Sequence, residues 1–124
     1  MIVAKILVVD DSGYARRILR QTLEPLGHAV IEAGSGMAGL EAFAVHAPDV
    51  VLLDLTMEDV GGLEVLTRLR EIDPGARVIV VSADIQRSTG QQVAEAGAFR
   101  FLAKPADAGE LVEAVEAALA GGGP

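Results

Sequence analysis

Three stretches of this chain are apolar at nearly every position: Ala4 to Val9, Val50 to Leu53 and Val78 to Val81. A strand with one wet face alternates apolar and polar residues, because successive side chains point to opposite faces. A nearly continuous apolar run has no wet face. It demands cover on both sides, as in a parallel sheet packed between layers of helices. Two further runs, Ala29 to Glu32 and Phe99 to Ala103, are similar in length and content. Each run is followed by a stretch with helical spacing. Ile18, Leu19, Leu23 and Leu26 share a face in the first, Leu40, Phe43 and Ala44 in the second, and Leu63, Leu66, Leu69 and Ile72 in the third. Val93 and Ala94 mark the fourth, and Leu111, Val112, Val115, Ala118 and Leu119 the fifth. Strand then helix, five times over, predicts an α/β, doubly wound parallel sheet of five strands with right-handed crossovers and helices on both faces.

The punctuation agrees. Gly27, Gly75 and Gly97 stand where helices should stop, and Pro48 and Pro74 just before strands three and four. Asp107 is placed to cap the last helix, with Glu110 three residues on in a capping-box arrangement. A chain of 124 residues suits one domain with a radius of gyration of about 14 Å. It buries roughly two thirds of its unfolded surface and needs no disulfide or metal to hold it. Residues 1–120 are expected to form that domain, and Gly121 to Pro124 a flexible glycine-rich tail.

Charge narrows the function. Eighteen acidic residues against ten basic give a formal net charge of −8, the reverse of what binding to nucleic acid through counterion release requires. One tyrosine and three phenylalanines are too few for a base-stacking platform. The absence of cysteine removes thiol, disulfide and zinc-thiolate chemistry. No apolar run approaches a membrane span, and Met1 to Lys5 lacks the features of a signal peptide. A cytoplasmic protein is expected, with neither nucleic acid nor membrane as a partner.

In a parallel sheet all C-terminal strand ends point to one edge, where ligands bind. Asp10 and Asp11 end the first run, Asp54 the third, Ser82 the fourth, and Lys104 followed by Pro105 the fifth. Three carboxylates, a hydroxyl and an ammonium are thereby gathered at one edge. Two like charges about 4 Å apart repel by about 4 kcal/mol at an effective dielectric of about 20. Lys104 can offset part of this, and a hard divalent cation the rest. Oxygen-only donors without histidine or cysteine favour Mg²⁺. A carboxylate beside Mg²⁺ and a lysine can attack phosphorus to give an aspartyl phosphate, its oxygens shared among metal, ammonium and hydroxyl.

Taken singly, each residue has an ordinary explanation. Asp10, Asp11 and Ser12 are good helix caps, Asp54 a turn acid, Ser82 a loop hydroxyl and Lys104 a solvated strand end. Their alignment with four strand ends favours a site. His28 and His46 fall before strands two and three, at the opposite edge, and read as surface or helix-end histidines.

The ordered set Ile6-Leu7-Val8-Val9-Asp10-Asp11-Ser12, Asp49-Val50-Val51-Leu52-Leu53-Asp54-Leu55, Val78-Ile79-Val80-Val81-Ser82-Ala83 and Gly97-Ala98-Phe99-Arg100-Phe101-Leu102-Ala103-Lys104-Pro105 resembles a response-regulator receiver domain of bacterial two-component systems. The resemblance covers essentially the whole chain. It implies a flavodoxin-like fold with strand order 2-1-3-4-5. It further implies Asp54 as phosphoacceptor, and Mg²⁺ held by Asp11, Asp54 and the Thr56 backbone carbonyl, with Asp10 acting largely through water. Ser82 becomes the switch hydroxyl, Lys104 the phosphoryl-binding cation and Phe101 the switch aromatic. Thr56 and Asp84 would tune hydrolysis of the phosphoryl group, and a cis Lys104-Pro105 bond is expected. The implied partners are a histidine kinase or phosphotransfer protein, and a downstream target at the face formed by helix 4, strand 5 and helix 5. Three positions depart from the family's pattern: Glu58 replaces the proline after Met57, Ser82 the commoner threonine, and Phe101 a tyrosine.

The expected function is a phosphorylation-controlled response regulator that catalyses only its own phosphotransfer and autodephosphorylation, as in chemotaxis signalling, with a phosphate relay or sink as the alternative. No output domain is expected after residue 120, so output would be contact with another protein. A flavin carrier of similar fold is disfavoured, because Asp10 and Asp11 would repel a phosphate in the first loop. An aspartate-nucleophile phosphatase would want an Asp-x-Asp pair on strand one and a cap domain, whereas here Asp10 and Asp11 are adjacent and the chain is short.

Overall fold

Five parallel strands form where the apolar runs lie, each boundary within one residue of its run. The computed structural model describes residues 3–84 and 86–121; residues 122–124 of the expected tail lie outside them. In chain order the elements are β1 (Lys5–Val9), α1 (Gly13–Leu23), a 3-10 turn (Glu24–Leu26), β2 (Ala29–Ala33), α2 (Gly36–His46), β3 (Val50–Leu53), α3 (Gly62–Ile72), β4 (Val78–Ser82), α4 (Arg87–Glu95), β5 (Arg100–Ala103) and α5 (Ala108–Leu119). The sheet order is β2-β1-β3-β4-β5, and every neighbouring pair is parallel.

Alternation along the strands divides the core in two. Ile6, Val8, Leu52, Ile79 and Val81 pack with Leu23 of α1 and Leu111 and Val115 of α5. Leu7, Val9, Leu53 and Val80 pack on the other face with Phe43 of α2, Leu66 and Leu69 of α3 and Val93 of α4. Burying a side chain of this size contributes about 1.5–3 kcal/mol, so both helix layers are held by the runs that announced the strands. Among the described residues, no helix is long and apolar enough to cross a membrane.

Several helix positions differ from the spacing-based expectation. Leu66 and Leu69 are buried, but Leu63 is 37% and Ile72 57% exposed, while Val65 is fully buried. Residues three apart on a helix of 3.6 residues per turn drift around its axis, so four of them cannot share one face. Ile18 is likewise 43% exposed, and Ala44 and Ala94 face solvent. In α2 the close approach is made by glycines: a Cβ on Gly39 would lie 2.8 Å from Val9 Cγ1. Gly27 and Gly97 adopt left-handed φ values of 93° and 97°, but Gly75 does not; it sits in a turn where the Asp73 carboxylate accepts its N–H at 2.8 Å. Asp107 caps α5 by accepting the Glu110 N–H at 3.0 Å. His28 is not at the surface. It is 5% exposed, and its Nδ1 accepts the Ala4 N–H at 3.1 Å. His46 closes the last turn of α2, as expected for a helix end.

At the start of α3, Gly61 and Gly62 are not equivalent. A Cβ on Gly62 would lie 2.4 Å from Leu55 Cα and 2.5 Å from the Asp54 carbonyl oxygen, whereas one on Gly61 meets nothing within 4 Å. Gly62→Ala is expected to destabilise the fold by about 2–4 kcal/mol, and Gly61→Ala by no more than about 1 kcal/mol. Urea unfolding of both variants checks this; equal losses would contradict the packing at Gly62.

Candidate functional site

The β1–β3 register pairs Val9 with Leu53, so the residues that follow, Asp10 and Asp54, emerge side by side. The Asp54 N–H continues the ladder to the Val9 carbonyl at 2.9 Å, and the Asp10 N–H reaches the Ala33 carbonyl at 3.1 Å. Asp10 and Asp54 are 2% and 5% exposed. Asp11, next in the β1–α1 loop, is exposed. One oxygen from each of the three carboxylates lies within 4.8 Å of the others.

Lys104 leaves β5 with its N–H on the Ser82 carbonyl at 2.9 Å, and its bond to Pro105 is cis, as expected. Its ammonium donates to Asp10 Oδ2 at 2.8 Å and stands 3.6 Å from Asp54 Oδ2. The other oxygen of Asp10 accepts the Ser12 N–H at 2.9 Å. Asp10 is therefore engaged at both oxygens, leaving Asp11 and Asp54 as the freer carboxylates. Ser12 in turn caps α1 through its Oγ, which accepts from Ala15. Arg16 braces the same loop: Nη1 donates to the Asp10 carbonyl at 2.7 Å and Nε to Glu32 at 2.9 Å.

Burial pushes the Asp54 carboxyl above its ordinary range, and the Asp10 charge adds to the effect; the Lys104 charge and the backbone N–H groups of Thr56 and Leu55 pull the other way without cancelling it. For Lys104, burial lowers the ammonium, but the hydrogen bond and charge of Asp10, joined by Asp54, outweigh it and hold it above its usual value. Three carboxylates sharing one ammonium, with oxygen donors only, make a donor set that fits Mg²⁺. Asp11 and Asp54, with Asp10 beside them, are the carboxylates that could hold it.

Other expected residues fall around this centre. Ser82 is fully buried, and its Oγ accepts the Asp84 N–H at 3.1 Å. The Asp84 carboxylate turns toward α4, accepting the Gln86 N–H at 3.1 Å and the Thr89 hydroxyl at 2.9 Å. Thr56 and Glu58 are exposed, and Met57 is buried beneath the loop. Phe101 is half-buried and lines a surface groove of about 270 Å³ with Gly90, Val93 and Ala94 of α4. Phe99 is the more buried aromatic, at 4% exposed, with the guanidinium carbons of Arg77 and Arg100 at 5.3 and 5.7 Å from its ring centre. It precedes the first residue of β5 and packs in the α1–α5 cluster, while also bordering the groove that Phe101 lines. A second, largely apolar groove of about 410 Å³ runs beside Lys104, bordered by Tyr14, Ile18, Val81 and Pro105. Asp59, which had no role in the sequence-based reading, accepts two N–H groups at the start of α2.

Residues 6–116 match the response regulator receiver domain family. The chain is 35% identical over 116 residues to the chemotaxis protein CheY of Bacillus subtilis, covering 93% of this chain and 97% of that one. It is 40% identical over 119 residues to the DNA-binding transcriptional regulator NtrC of Azospirillum brasilense, covering 96% of this chain but 25% of the relative. Among solved structures, the CheY-like receiver domain protein of Methanospirillum hungatei superposes with a TM-score of 0.92 at 26% identity, covering 97% of this chain and 96% of that one. The chain belongs to the response regulator receiver domains, signalling modules of two-component systems that are controlled by phosphorylation.

The raised Asp54 value fixes a sign for stability. The folded state binds the Asp54 proton more tightly than the unfolded state, so this group's contribution is present in acid and lost as pH rises through the folded value. At neutral pH the ionised Asp54 therefore weakens the fold. Asp54→Asn is expected to raise the melting temperature at about pH 7, and the gain is expected to vanish below about pH 4, where the unfolded carboxyl is also protonated. Thermal unfolding without divalent cations at both pH values checks it; a lower melting temperature for the variant at neutral pH would contradict the raised value.

Proposed function

We propose that Asp54 is the residue that takes the phosphoryl group, and that this chain switches a protein-binding surface in response. The observation that carries the reading is the placement of Asp54 beside Asp10 and Asp11, with the Lys104 ammonium 3.6 Å away. An Asp54 oxygen attacks phosphorus, and the bond from phosphorus to a donor imidazole nitrogen, or to the oxygen of a small acyl phosphate, breaks with its electron pair leaving on the donor. Mg²⁺, when bound, supplies charge neutralisation for the phosphoryl oxygens. Lys104 can reach those oxygens while remaining bonded to Asp10. Water later attacks phosphorus, which returns the carboxylate and inorganic phosphate.

The donor partner is a histidine kinase or phosphotransfer protein, for which the apolar groove beside Lys104 offers a seat. Transmission begins at Ser82. A phosphoryl oxygen is a charged acceptor, and a hydrogen bond to it is stronger than a neutral one. The Ser82 hydroxyl turns to donate to it, and the Asp84 N–H now resting on that hydroxyl must readjust. Phe101, packed against α4, carries the change to the face formed by α4, β5 and α5, where a downstream target binds. Thr56 and Asp84 set the phosphoryl lifetime, Asp84 through the β4–α4 loop it ties to Thr89.

With acetyl phosphate and Mg²⁺ the protein should gain the mass of one phosphoryl group and Asp54→Asn should gain none; a full gain in the variant would overturn the assignment. Lys104→Met, which keeps the side-chain length and removes the charge, is expected to slow the gain about a hundredfold, read in the same mass assay. Thr56→Ala and Asp84→Ala are each expected to change the phosphoryl half-life severalfold, followed by phosphate release. Unchanged half-lives in both would remove the tuning role.

A further inference from the structure

The loop from Leu55 to Gly61 follows the candidate phosphoacceptor and contains the Thr56 carbonyl expected to face the metal. Position 58, where a proline would lock φ, is the exposed Glu58. The loop is held instead by two attachments. At its base the Gly62 N–H donates to the Leu55 carbonyl at 3.1 Å. In its middle the Asp59 carboxylate straddles the start of α2, with Oδ1 accepting the Gly36 N–H at 3.0 Å and Oδ2 the Met37 N–H at 3.0 Å.

That helix already has its own cap, because Ser35 Oγ accepts the Ala38 N–H at 3.1 Å. What Asp59 adds is a tie between two separate parts of the chain. The contact beneath it is close: a Cβ on Gly36 would lie 2.6 Å from the Val60 carbonyl oxygen, so the loop backbone rests directly on α2. The Met37, Val60 and Gly36 N–H groups hold the Asp59 carboxyl down at about 2, so it is ionised whenever the protein is near neutral pH. Met57, buried between Thr56 and Asp59, leaves the loop little freedom between the tie and the carbonyl.

We propose that Asp59 is a positioning residue of the phosphorylation site: seated on the N-terminus of α2, it fixes the loop that presents the Thr56 carbonyl beside Asp11 and Asp54. The proposal rests on the reading of Asp54 as phosphoacceptor. It differs from a simple capping role in its consequence, since loss of Asp59 loosens metal binding and not only the helix.

The test is a titration with Mg²⁺ alone, followed by backbone amide shifts of Asp11 and residues 54–59, together with amide hydrogen exchange over 55–61. Asp59→Ala is expected to weaken Mg²⁺ binding about tenfold and to speed exchange across the loop. Asp59→Asn, which keeps the shape and one acceptor oxygen, is expected to weaken it by a smaller factor and guards against a failure of the alanine variant to fold. Ser35→Ala removes the other cap of the same helix and leaves both Asp59 hydrogen bonds in place, and is expected to leave Mg²⁺ affinity within about twofold. Equal affinity in Asp59→Asn and the unaltered protein, or an equal loss in Ser35→Ala, would overturn the proposal and reduce Asp59 to a helix cap. If the unaltered protein shows no Mg²⁺-dependent shifts at Asp11 and Asp54, the phosphorylation reading itself fails and this proposal with it. Unaltered shifts there, with no effect of Asp59, defeat the positioning role alone.

Discussion

The parallel pairing of β1 with β3 forces two carboxylates to emerge next to each other at the sheet edge, and almost everything around them answers that repulsion. Asp10 and Asp54 follow paired residues on adjacent strands, and both are buried. The Lys104 ammonium sits against both, closer to Asp10. The Ser12 N–H is turned onto Asp10, and the backbone N–H groups of Thr56 and Leu55 pull the Asp54 carboxyl down. Asp54 nonetheless remains above its ordinary range, chiefly because burial disfavours its charged form. Three carboxylates gathered within 4.8 Å of one another, two of them buried, are a setting that a divalent cation would stabilise.

The fold maintains this crowding because the strands carrying it are covered on both faces. Side chains of β1 and β3 alternate between two apolar clusters, and sliding either strand by one residue would expose its whole apolar set on the wrong side. Register is therefore strongly specified, and with it the spacing of the carboxylates. The loops that leave the edge are specified less by burial than by polar ties. Arg16 holds the β1–α1 turn to Glu32, Asp59 holds the β3–α3 loop to α2, and Asp84 holds the β4–α4 loop to Thr89. Such ties cost less to break than packed cores, so movement on phosphorylation is expected in these loops and not in the sheet.

The strands were legible because burial on both faces writes itself into a sequence as an unbroken apolar run. The strand-end residues were legible for the same reason, since the end of such a run is unambiguous. Helix faces were less so. Leu63 and Ile72 look periodic with Leu66 and Leu69 yet are substantially exposed, because a three-residue spacing leaves the buried face after two steps. Gly36 and Gly39 carry the close packing of α2, but a missing side chain leaves no hydrophobic signal. His28 was read as a surface or helix-end residue from its position before β2; it is buried, with its Nδ1 satisfied by the backbone N–H of Ala4, 24 residues away in sequence. Asp59 was invisible for a similar reason, as its partners Gly36 and Met37 lie more than 20 residues earlier in the chain. Long-range polar ties of this kind have no local pattern to betray them.

The bond between Lys104 and Asp10 joins residues 94 positions apart. A ribosome delivers the chain from its N-terminus, so all three carboxylates emerge long before the ammonium that balances two of them. Until β5 is made and added at the edge of the sheet, the Lys104 ammonium cannot reach Asp10 and Asp54, and their repulsion must be met by other groups. The final strand both completes the sheet and supplies its counter-charge.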